Sequence, residues 1–458
     1  MKTGQSIRQA ETATKQLKAS VLVGLLWCVA LLAIVVISVL HTATMDLKVT
    51  KNFGDKIQAH YLALAGIEKA KALLYQHAHN HSGLQRELYD APGQFREIQF
   101  GRGQFSIFHR GTSAEGGGIL YGVSDEESRL NVNTAKADAL TKLDGLTDET
   151  AAAILAWRGE TGQGNPNGAN ADYYASLQPP YLPRNGPFQT IRELLMVHGF
   201  TPDLLFGKDA HQNGFLPASD EAIGSDNRSI DDDGGWAAFL TVDSSVANVN
   251  ASGFDRVNVQ NDDEASLTKI NGITPAIAHA IVLYRAQKQF DSVANLLDVT
   301  AQPNQRATGA NANAGAPDGS GGNGNSSPQL IDEDLLMQIA DDITTDSAKD
   351  EPGLININTA TLETLLCLPG MDRERAQAVI SNTRSQGWFP NIAWLLRVPG
   401  IDRDLFKQIA PFVCARSDTF RIVSEGKIKS TGVSKRIQAI VRVNHGEVMT
   451  VSYREDDL

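Results

Sequence analysis

A run of twenty uncharged residues, Val21 to Leu40, dominates the hydrophobicity pattern of the chain. A bilayer core of about 30 Å is crossed by about 20 apolar residues, so the run has the length for one crossing. A buried core helix is usually shorter and amphipathic. A secretory signal has a shorter apolar run that ends at an Ala-x-Ala site. The pattern therefore predicts a transmembrane helix over residues 21–40.

The helical pattern continues beyond this run. No proline occurs between Asp46 and His77, and apolar side chains recur there at steps of three, four or seven: Phe53, Ile57, Leu64, Ile67 and Leu74. Such spacing places apolar side chains on one face of a helix. Gly83 and Pro92-Gly93 end the helical region. We therefore expect the membrane helix to continue as an amphipathic helix that lies on another part of the protein.

Strand-like segments occur in two distant groups. The first group is 104–109 and 119–123, and the second is 420–423, 436–443 and 448–453, with turns near Gly426 and at 444–447. An isolated two-stranded hairpin is only marginally stable. This favours one antiparallel sheet split by an insertion, covered by the amphipathic helix, over two separate hairpins.

A threefold repeat fills the region between the two strand groups. Each copy starts with an Asn-containing segment, and a glycine between apolar residues follows its first Asn by fourteen positions: 130–135 with 143–146, 257–262 with 270–273, and 355–360 with 368–371. A second helix then ends at 157–158, 284–285 or 383–384. Glycine adopts turn conformations that other residues resist. Each copy is therefore predicted to be a helix–hairpin–helix unit.

Each copy continues in the same way after this unit. An aromatic residue opens a further helix, and a Leu pair follows six residues later: Phe188, Phe290 and Phe389. The first and third copies then close on a second hairpin, at 197–200 and 398–401, whereas the middle copy runs into 298–300 without one. The predicted hairpin glycines are Gly145, Gly199, Gly272, Gly370 and Gly400.

Charge bears on what these repeats contact. The chain of 458 residues has a net charge of −12, and residues 121–420 carry about nineteen more acidic than basic side chains. Helix–hairpin–helix units that bind DNA offer backbone N–H groups and nearby cations to phosphate. The neighbours of the hairpin glycines are Asp144, His198, Asn271, Pro369 and Pro399. We therefore expect no nucleic acid and assign the repeats to packing and protein contacts.

Charge also predicts the orientation in the membrane. Before the apolar run there are four basic residues and one acidic residue: Lys2, Arg8, Lys15, Lys18 and Glu11. Short basic flanks remain in the cytoplasm. The bulk of the chain is then expected on the opposite side of a single-pass anchor.

Candidate chemistry is sparse, and no enzymatic motif such as Ser–His–Asp, Cys–His or a phosphate loop stands out. His77, His79 and His81 have a spacing that suits a metal, although a solvated helix end explains them more simply. Calcium is considered at Asp231, Asp232 and Asp233, although contiguous aspartates lack the alternating spacing of a dedicated calcium loop. We expect no other cofactor.

The three cysteines permit two interpretations. Cys28 lies within the membrane run, where cysteine behaves as a small apolar residue. Cys367 and Cys414 are predicted on the side of the membrane where disulfides form, so they are either bridged or two buried thiols.

With these features assembled, the chain resembles the K-type minor pseudopilins of type II secretion systems. The resemblance rests on the helix through residues 61–68, the motifs at 130–135 and 354–360 with their glycine hairpins, and the C-terminal strands. It implies an α+β fold: a long N-terminal transmembrane and amphipathic helix packed on a small antiparallel pilin-like sheet, with a large helical insertion of helix–hairpin–helix (SAM-like) repeats.

The resemblance also implies a function: a tip subunit that nucleates and caps a periplasmic filament for protein export across the outer membrane. The implied partners are the other minor pseudopilins (I and J types), the assembly platform and the inner membrane, with the N-terminus cytoplasmic and the bulk periplasmic. Two alternatives remain: a membrane-anchored helix–hairpin–helix DNA receptor of competence type, and a type IV pilus minor pilin.

Ordinary pilins carry a glutamate five residues into the mature helix, and K-type proteins lack it. A carboxylate inside a membrane is costly unless it is paired. Here the equivalent position is Gly24 or Leu25, depending on whether prepilin-type cleavage falls between Ala19 and Ser20 or between Ser20 and Val21. Prepilin peptidase prefers glycine before the cut, so an uncleaved anchor is the alternative.

The predicted domain boundaries follow from these segments. They are a cytoplasmic leader (1–20), the transmembrane helix (21–40), the pilin-like helix and first strands (41–124), the first repeat (125–224), the second repeat (225–306), a Gly/Asn-rich linker (307–328), the third repeat (329–416) and the C-terminal strands (417–458).

Overall fold

The computed structural model describes residues 3–80, 86–112, 115–160, 171–207, 234–300, 329–444 and 446–455, with no side-chain description for 3–20, 80 and 86. The helices are α1 (Thr3–Asn80), α2 (Arg86–Tyr89), α3 (Pro92–Phe95), α4 (Ala137–Leu140), α5 (Asp148–Trp157), α6 (Ala171–Ser176), α7 (Pro202–Phe206), α8 (Glu264–Leu267), α9 (Pro275–Gln287), α10 (Glu333–Ile339), α11 (Leu362–Leu366), α12 (Arg373–Gln386) and α13 (Arg403–Ile409). Short 3-10 helices span Ile191–Met196, Trp236–Ala238, Val293–Asp298, Ile392–Arg397 and Ala410–Phe412.

The strands are mostly short. They are β1 (Ile98–Phe100), β2 (Gly103–Ile107), β3 (His109–Arg110), β4 (Ile119–Leu120), β5 (Ser124–Asp125), β6 (Leu130–Asn131), β7 (Leu240–Thr241), β8 (Ser245–Ala247), β9 (Val257–Asn258), β10 (Ile343–Thr344), β11 (Asp350–Pro352), β12 (Ile355–Asn356), β13 (Val413–Cys414), β14 (Thr419–Ile428), β15 (Ser434–Asn444) and β16 (Glu447–Arg454).

One antiparallel sheet unites the two strand groups, in the order β1-β2-β14-β15-β16, and β5 also pairs with β14. Ser424 of β14 lies opposite Ile107 of β2. The expected single sheet is therefore confirmed, and the reading as two separate hairpins is wrong. The predicted strand 119–123 differs, because only Ile119 and Leu120 are extended and they pair with β3, away from the main sheet.

The second half of α1 covers one face of this sheet. Ala59, Leu62, Ala63, Ile67 and Leu74 are buried there at 0–3 % exposure. Of the apolar stripe predicted from the sequence, Ile67 and Leu74 are buried on the sheet, whereas Phe53 and Ile57 are 65 % and 45 % exposed. The buried helix residues form one core with strand residues such as Phe105, Ile422 and Val441. The helix and the sheet are thus a single packed unit.

The helical repeats form a second, larger core inserted between β5 and β14. In each repeat the first strand pairs in parallel with a strand at its end: β6 with β7, β9 with β10, and β12 with β13. Parallel strands require a long crossover connection, and here the helices of the repeat supply it. Each copy is therefore a closed unit.

The middle repeat is closed by residues from beyond the predicted linker. Thr300 bridges to Gln329, and the Leu330 N–H donates to Val299 O at 3.1 Å. Residues 329–344, predicted to open the third repeat, thus close the second repeat, where β10 pairs with β9. Likewise, residues 240–241, predicted in the second repeat, pair with the first repeat. The closing helices of the three repeats are α7, α10 and α13. Each is preceded by an apolar residue and a capping Thr or Asp, at 200–201, 331–332 and 401–402, so the three helices start in the same way.

Candidate functional site

All five hairpin glycines lie in tight turns on the protein surface. Their φ angles are +78° at Gly145, +87° at Gly199, +101° at Gly272, +68° at Gly370 and +86° at Gly400. This left-handed region favours glycine because it has no Cβ. The turns present backbone groups at the surface, so their surroundings decide what they can bind.

The first hairpin of each repeat is covered by the closing segment of the same repeat. A Cβ on Gly272 would lie 2.8 Å from Leu335 Cδ1, and a Cβ on Gly370 would lie 2.8 Å from Leu405 Cδ1. In the first repeat, the Trp236 Nε1–H donates to Asp144 O at 2.9 Å, beside Gly145. These turns are thus exposed, but side chains of the closing segments lie against them.

Arg375 ties the two hairpins of the third repeat together. Its Nε–H donates to Gly400 O at 3.0 Å and its Nη1–H donates to Gly370 O at 3.2 Å. The same guanidinium pairs with Asp372 at 2.9 Å. The Arg375 side chain therefore lies along the turns, where its hydrogen bonds fix their spacing.

Basic side chains of the third repeat pair with acidic side chains of the second. The nitrogen–oxygen distances are 2.6 Å for Lys407–Asp298, 2.6 Å for Arg403–Glu333 and 2.7 Å for Arg416–Asp341, and Arg397 pairs with Asp334. Such surface pairs are individually weak. Together they make the facing surfaces of the two repeats complementary in charge. They also engage the basic side chains that a phosphate backbone would need for binding.

The segment Ser124–Arg129 begins with β5 of the sheet, leads into the first repeat and contains three buried acidic side chains. We call it the junction segment. Asp125 is 3 % exposed, and Glu126 and Glu127 are 0 % exposed. Buried carboxylates are costly unless they are paired or hydrogen-bonded. The partners of these three side chains therefore define how the sheet and the repeats are held together.

Glu126 is the ion-paired member of the junction segment. Its Oε1 lies 2.5 Å from Arg129 Nη1 and 2.7 Å from Arg421 Nε, and the Thr241 hydroxyl donates to its Oε2. Burial acts to raise the pKa of Glu126, but the Arg421 and Arg129 guanidinium groups outweigh it and lower that pKa. Glu126 thus links β14 to the closing strand of the first repeat as a carboxylate.

Asp125 links the sheet to the third repeat. Its Oδ2 accepts from Asn356 Nδ2 at 3.1 Å, from the Ser417 hydroxyl at 2.6 Å and from the Thr359 hydroxyl. Its Oδ1 accepts from the Glu127 N–H at 2.8 Å. One carboxyl group therefore holds the start of the third repeat against the strand that returns to the sheet.

Glu127 joins two further segments. Its Oε1 accepts from the Ser245 N–H at 2.9 Å and its Oε2 accepts from the Thr419 N–H at 3.2 Å. Its backbone carbonyl accepts from the Asn356 N–H at 2.8 Å. The junction segment thus contacts the sheet, the first repeat and the third repeat.

Two acidic residues beside the junction segment, Asp418 and Asp243, should make the free energy of unfolding depend on pH. Burial raises the pKa of Asp418 and of Asp243 to about 6 each. Both gain a proton preferentially in the folded state, so their stabilising contribution is complete below about pH 4 and is lost as pH rises through about 6.

Replacing Asp418 by asparagine tests this dependence. The variant keeps an oxygen for the Ala247 N–H, which Asp418 Oδ2 accepts at 2.8 Å, and it cannot ionise. We expect equal free energies of unfolding near pH 4 and an advantage for the variant of up to about 3 kcal/mol above pH 6. Urea unfolding at a series of pH values measures the difference. The exposed Asp144→Asn variant is the control, and an Asp418→Asn advantage that is independent of pH would contradict this assignment.

The other predicted site residues lie along α1 or outside the described residues. Ala19, Ser20 and Val21 are helical, Leu25 is 64 % exposed, and nothing lies within 4 Å of a Cβ built on Gly24. Within the described residues, one helix is long and apolar enough to cross a membrane. Asp231, Asp232, Asp233 and His81 lie outside the described ranges, so the calcium assignment stays a prediction.

The remaining candidate residues are the histidines near the end of α1 and two cysteines. His79 stacks on Tyr75 with ring centroids 4.1 Å apart, and the described ranges contain no cluster of three or more possible metal ligands. Cys367 and Cys414 are free buried thiols, so the bridged alternative is wrong. Burial raises the pKa of the Cys367 thiol to about 12.

Sequence reasoning did not identify the junction segment as a special feature. A loop reading Ser-Asp-Glu-Glu-Ser-Arg has the composition of a solvated turn. A usable signal was its position, because the acids lie between a strand group and the first repeat motif at 130–135. In the folded chain the sheet and the repeats meet at this segment and bury its acids.

Comparison with known proteins adds family information. Residues 124–206 match the family model of type II secretion system (T2SS) protein K, and residues 352–414 match a helix-hairpin-helix motif model. The first match begins at the junction segment and contains the first repeat motif and its two hairpin glycines. The second match contains the third repeat.

A curated relative and a solved structure are also similar. The mouse (Mus musculus) endonuclease/exonuclease/phosphatase family domain-containing protein 1 is 26 % identical over 159 residues, 34 % of this chain and 27 % of that protein. The chain thus spans about a quarter of the length of that relative.

The solved structure is the GspK–GspI–GspJ complex of the type 2 secretion system of enterotoxigenic Escherichia coli. The similar chain has 10 % identity and a TM-score of 0.38, with 88 % of this chain and 98 % of that chain covered. The match of residues 124–206 shows that this part of the chain is similar to protein K of the type II secretion system.

Proposed function

We propose that this protein occupies the tip of the type II secretion pseudopilus, where it nucleates and caps the filament that drives protein export across the outer membrane. In this proposal α1 and the main sheet form a pilin-like unit that joins the filament. The helical repeats form a cap, and the other minor pseudopilins of the I and J types are the immediate partners.

The insertion of the repeats into the sheet is the observation that carries this proposal. The chain leaves the sheet after Asp125 and returns at Thr419, and these ends lie side by side because Phe420 pairs with Asp125. The junction segment fastens the repeats to the sheet by buried hydrogen bonds. A cap held in this way would obstruct a further subunit on its side of the sheet, which suits a terminal position.

The membrane segment supports the same proposal. Residues 21–40 contain no acidic side chain, and Gly24 or Leu25 stands where ordinary pilins have glutamate. A subunit with a buried carboxylate needs a neighbour's amine to satisfy it. A subunit without that requirement can start a filament.

Co-purification from membranes tests the partners. We expect the full-length protein, extracted in detergent, to retain I- and J-type minor pseudopilins of the same organism in one complex. N-terminal mass determination of the same sample tells whether the leader is cut beside Ala19 or Ser20. Full secretion in a strain that lacks this protein would overturn the tip assignment, as would failure to retain either partner.

A Leu25→Glu variant tests the membrane argument. A charged side chain at the centre of a membrane helix costs about 2.5–3.5 kcal/mol unless it is paired. We expect reduced secretion, because the added carboxylate demands a preceding subunit that a terminal one lacks. Secretion in the strain that carries each variant is the measurement, and Leu25→Ala is the control. Normal secretion by Leu25→Glu would contradict the missing-acid argument.

Nucleic-acid binding is the second candidate, because residues 352–414 match a helix-hairpin-helix motif. The ion pairs between the second and third repeats weigh against it, since they engage Arg397, Arg403 and Lys407. Gel-shift assays with duplex DNA at low and high salt discriminate between the two functions. Tight, salt-sensitive binding would favour the DNA receptor.

A further inference from the structure

Asp125 and Glu127 form a buried carboxyl pair. Among the described residues, the hydrogen-bond partners that hold them to other segments are neutral: hydroxyls, an amide and backbone N–H groups. The two nearby guanidinium groups, of Arg129 and Arg421, both bind Glu126. Two carboxylates at one buried site repel each other. One of them is therefore expected to hold a proton at neutral pH.

The hydrogen bonds indicate which carboxyl holds the proton. Asp125 already accepts from three side chains and one backbone N–H, which favours its charged form. Glu127 accepts from two backbone N–H groups. A protonated Glu127 can donate to the Asp125 carboxylate, and this bond would join the two halves of the junction segment.

The titratable and charged groups around the pair come from several elements. These are Tyr89 on α2, Glu126 and Arg129 of the junction segment, Arg256 before β9, Cys414 on β13, Arg416 and Asp418 between β13 and β14, and Arg421 on β14. Arg256 and Arg416 oppose the charge of Asp418, which leaves the Asp125–Glu127 pair with a surplus of negative neighbours. Loss of the shared proton would add a second negative charge there.

We propose that the Asp125–Glu127 pair is a proton-operated fastener, in which one shared proton holds the sheet, strand β8 and the third repeat together and its loss in alkaline solution loosens them. The pair is hydrogen-bonded to Asn356 of the third repeat, to Ser245 of β8 and to Thr419 of the sheet, so one ionisation acts on all three contacts. A loosened junction would let the repeats move relative to the sheet without unfolding either core.

Titration behaviour supports the proposal. Burial raises the pKa of Glu127 well above its ordinary value, and the Asp125 charge raises it further. Burial also raises the pKa of Asp125, against hydrogen bonds from Ser417 and Thr359 that lower it. The folded state thus keeps a proton that the unfolded chain has released, and this stabilisation is lost as pH rises through the pKa of the pair.

Amide hydrogen exchange of the full-length protein in detergent micelles tests the fastener. Exchange is measured from pH 6 to 10 at peptides covering 124–129, 244–247 and 355–359, with correction for the intrinsic pH dependence. Between the lower carboxyl pKa of the opened junction and the raised pKa of the closed pair, each pH unit should increase the opening equilibrium constant by about tenfold, and the increase should level off above the pKa of the pair. The peptide covering 62–74, in the core between α1 and the sheet, serves as an internal control and should show no such rise.

A Glu127→Gln variant supplies the decisive comparison. Glutamine can still donate to Asp125 and cannot ionise, so the opening constant of the variant should be the same at pH 8 and pH 10, where Asp418 and Asp243 are already ionised. A variant with the wild-type pH dependence would overturn the proposal, and so would a wild type without alkaline opening. Glu351→Gln, which removes a partly buried carboxyl away from the pair, is the matched control and should keep the wild-type dependence.

Infrared spectroscopy keeps the proposal testable if Glu127→Gln does not fold. Selective isotope labelling of glutamate should reveal, in the wild type and in Glu351→Gln, a protonated carboxyl band that persists at neutral pH and disappears in alkaline solution. Absence of that band at pH 7 would overturn the proposal without any substitution at Glu127.

Discussion

The Glu126→Ala variant is expected to lose about 3–5 kcal/mol of unfolding free energy, because it leaves two guanidinium groups without their carboxylate in a buried site. Glu126 is 0 % exposed, and Arg129 is 6 % exposed. Arg421 is the second guanidinium, and the Thr241 hydroxyl also loses its acceptor. Urea unfolding of the full-length protein in detergent, followed by circular dichroism, measures the loss.

The matched control is Glu68→Ala. Glu68 also pairs with a basic side chain, Lys71 at 3.0 Å, but its own side chain is 68 % exposed. An exposed pair of this kind contributes about 0.5 kcal/mol or less. Equal small effects of the two substitutions would refute the view that the junction segment holds the sheet and repeats together.

The Gly426→Ala variant is expected to weaken the packing of α1 on the sheet and so to lower the free energy of unfolding. A Cβ at this position would collide with Ala59 O and would lie 2.6 Å from Ala63 N and 2.8 Å from Leu62 Cβ. The first two atoms belong to the helix backbone, so a side-chain rotation cannot relieve the contact. Overpacking a core costs about 1–3 kcal/mol, and rigid backbone neighbours favour the upper end.

Thermal unfolding and amide hydrogen exchange test the Gly426→Ala prediction. Thermal unfolding should occur at a lower temperature, and exchange of the amides in residues 59–70 should be faster than in the wild type. The control is Gly93→Ala, because nothing lies within 4 Å of its Cβ position. Wild-type stability of Gly426→Ala would show that the helix can shift on the sheet without penalty.

Periodicity made α1 and the sheet predictable. Phe53, Ile57, Leu64, Ile67 and Leu74 recur at helical spacing, and the part of this stripe from Leu64 onwards packs on the sheet. Period-two segments at 436–443 and 448–453 became β15 and β16. These features depend on local pattern and on solvent exclusion, so sequence alone carries them. The membrane run at 21–40 belongs to the same class.

The completion of the middle repeat was not predictable in the same way. The sequence lacks a second glycine hairpin after Val299, and the segment that replaces it begins at Gln329. Residues far apart in the chain carry no periodic signal of their proximity. The structure shows that α10 is equivalent to the closing helices α7 and α13 of the other two repeats. Each of the three helices is preceded by an apolar residue and a capping residue.

The sequence by itself determined the long N-terminal helix, the alternating strands, the three repeat motifs and the glycines at their turns, because each depends on neighbours within a few residues. Only the tertiary structure decided that the acids of the junction segment are buried and that basic residues of the third repeat meet acidic residues of the second. It also decided that residues 329–344 close the second repeat. The physical reason is that burial and charge pairing depend on which surfaces meet, and those surfaces come together from segments separated by long stretches of chain.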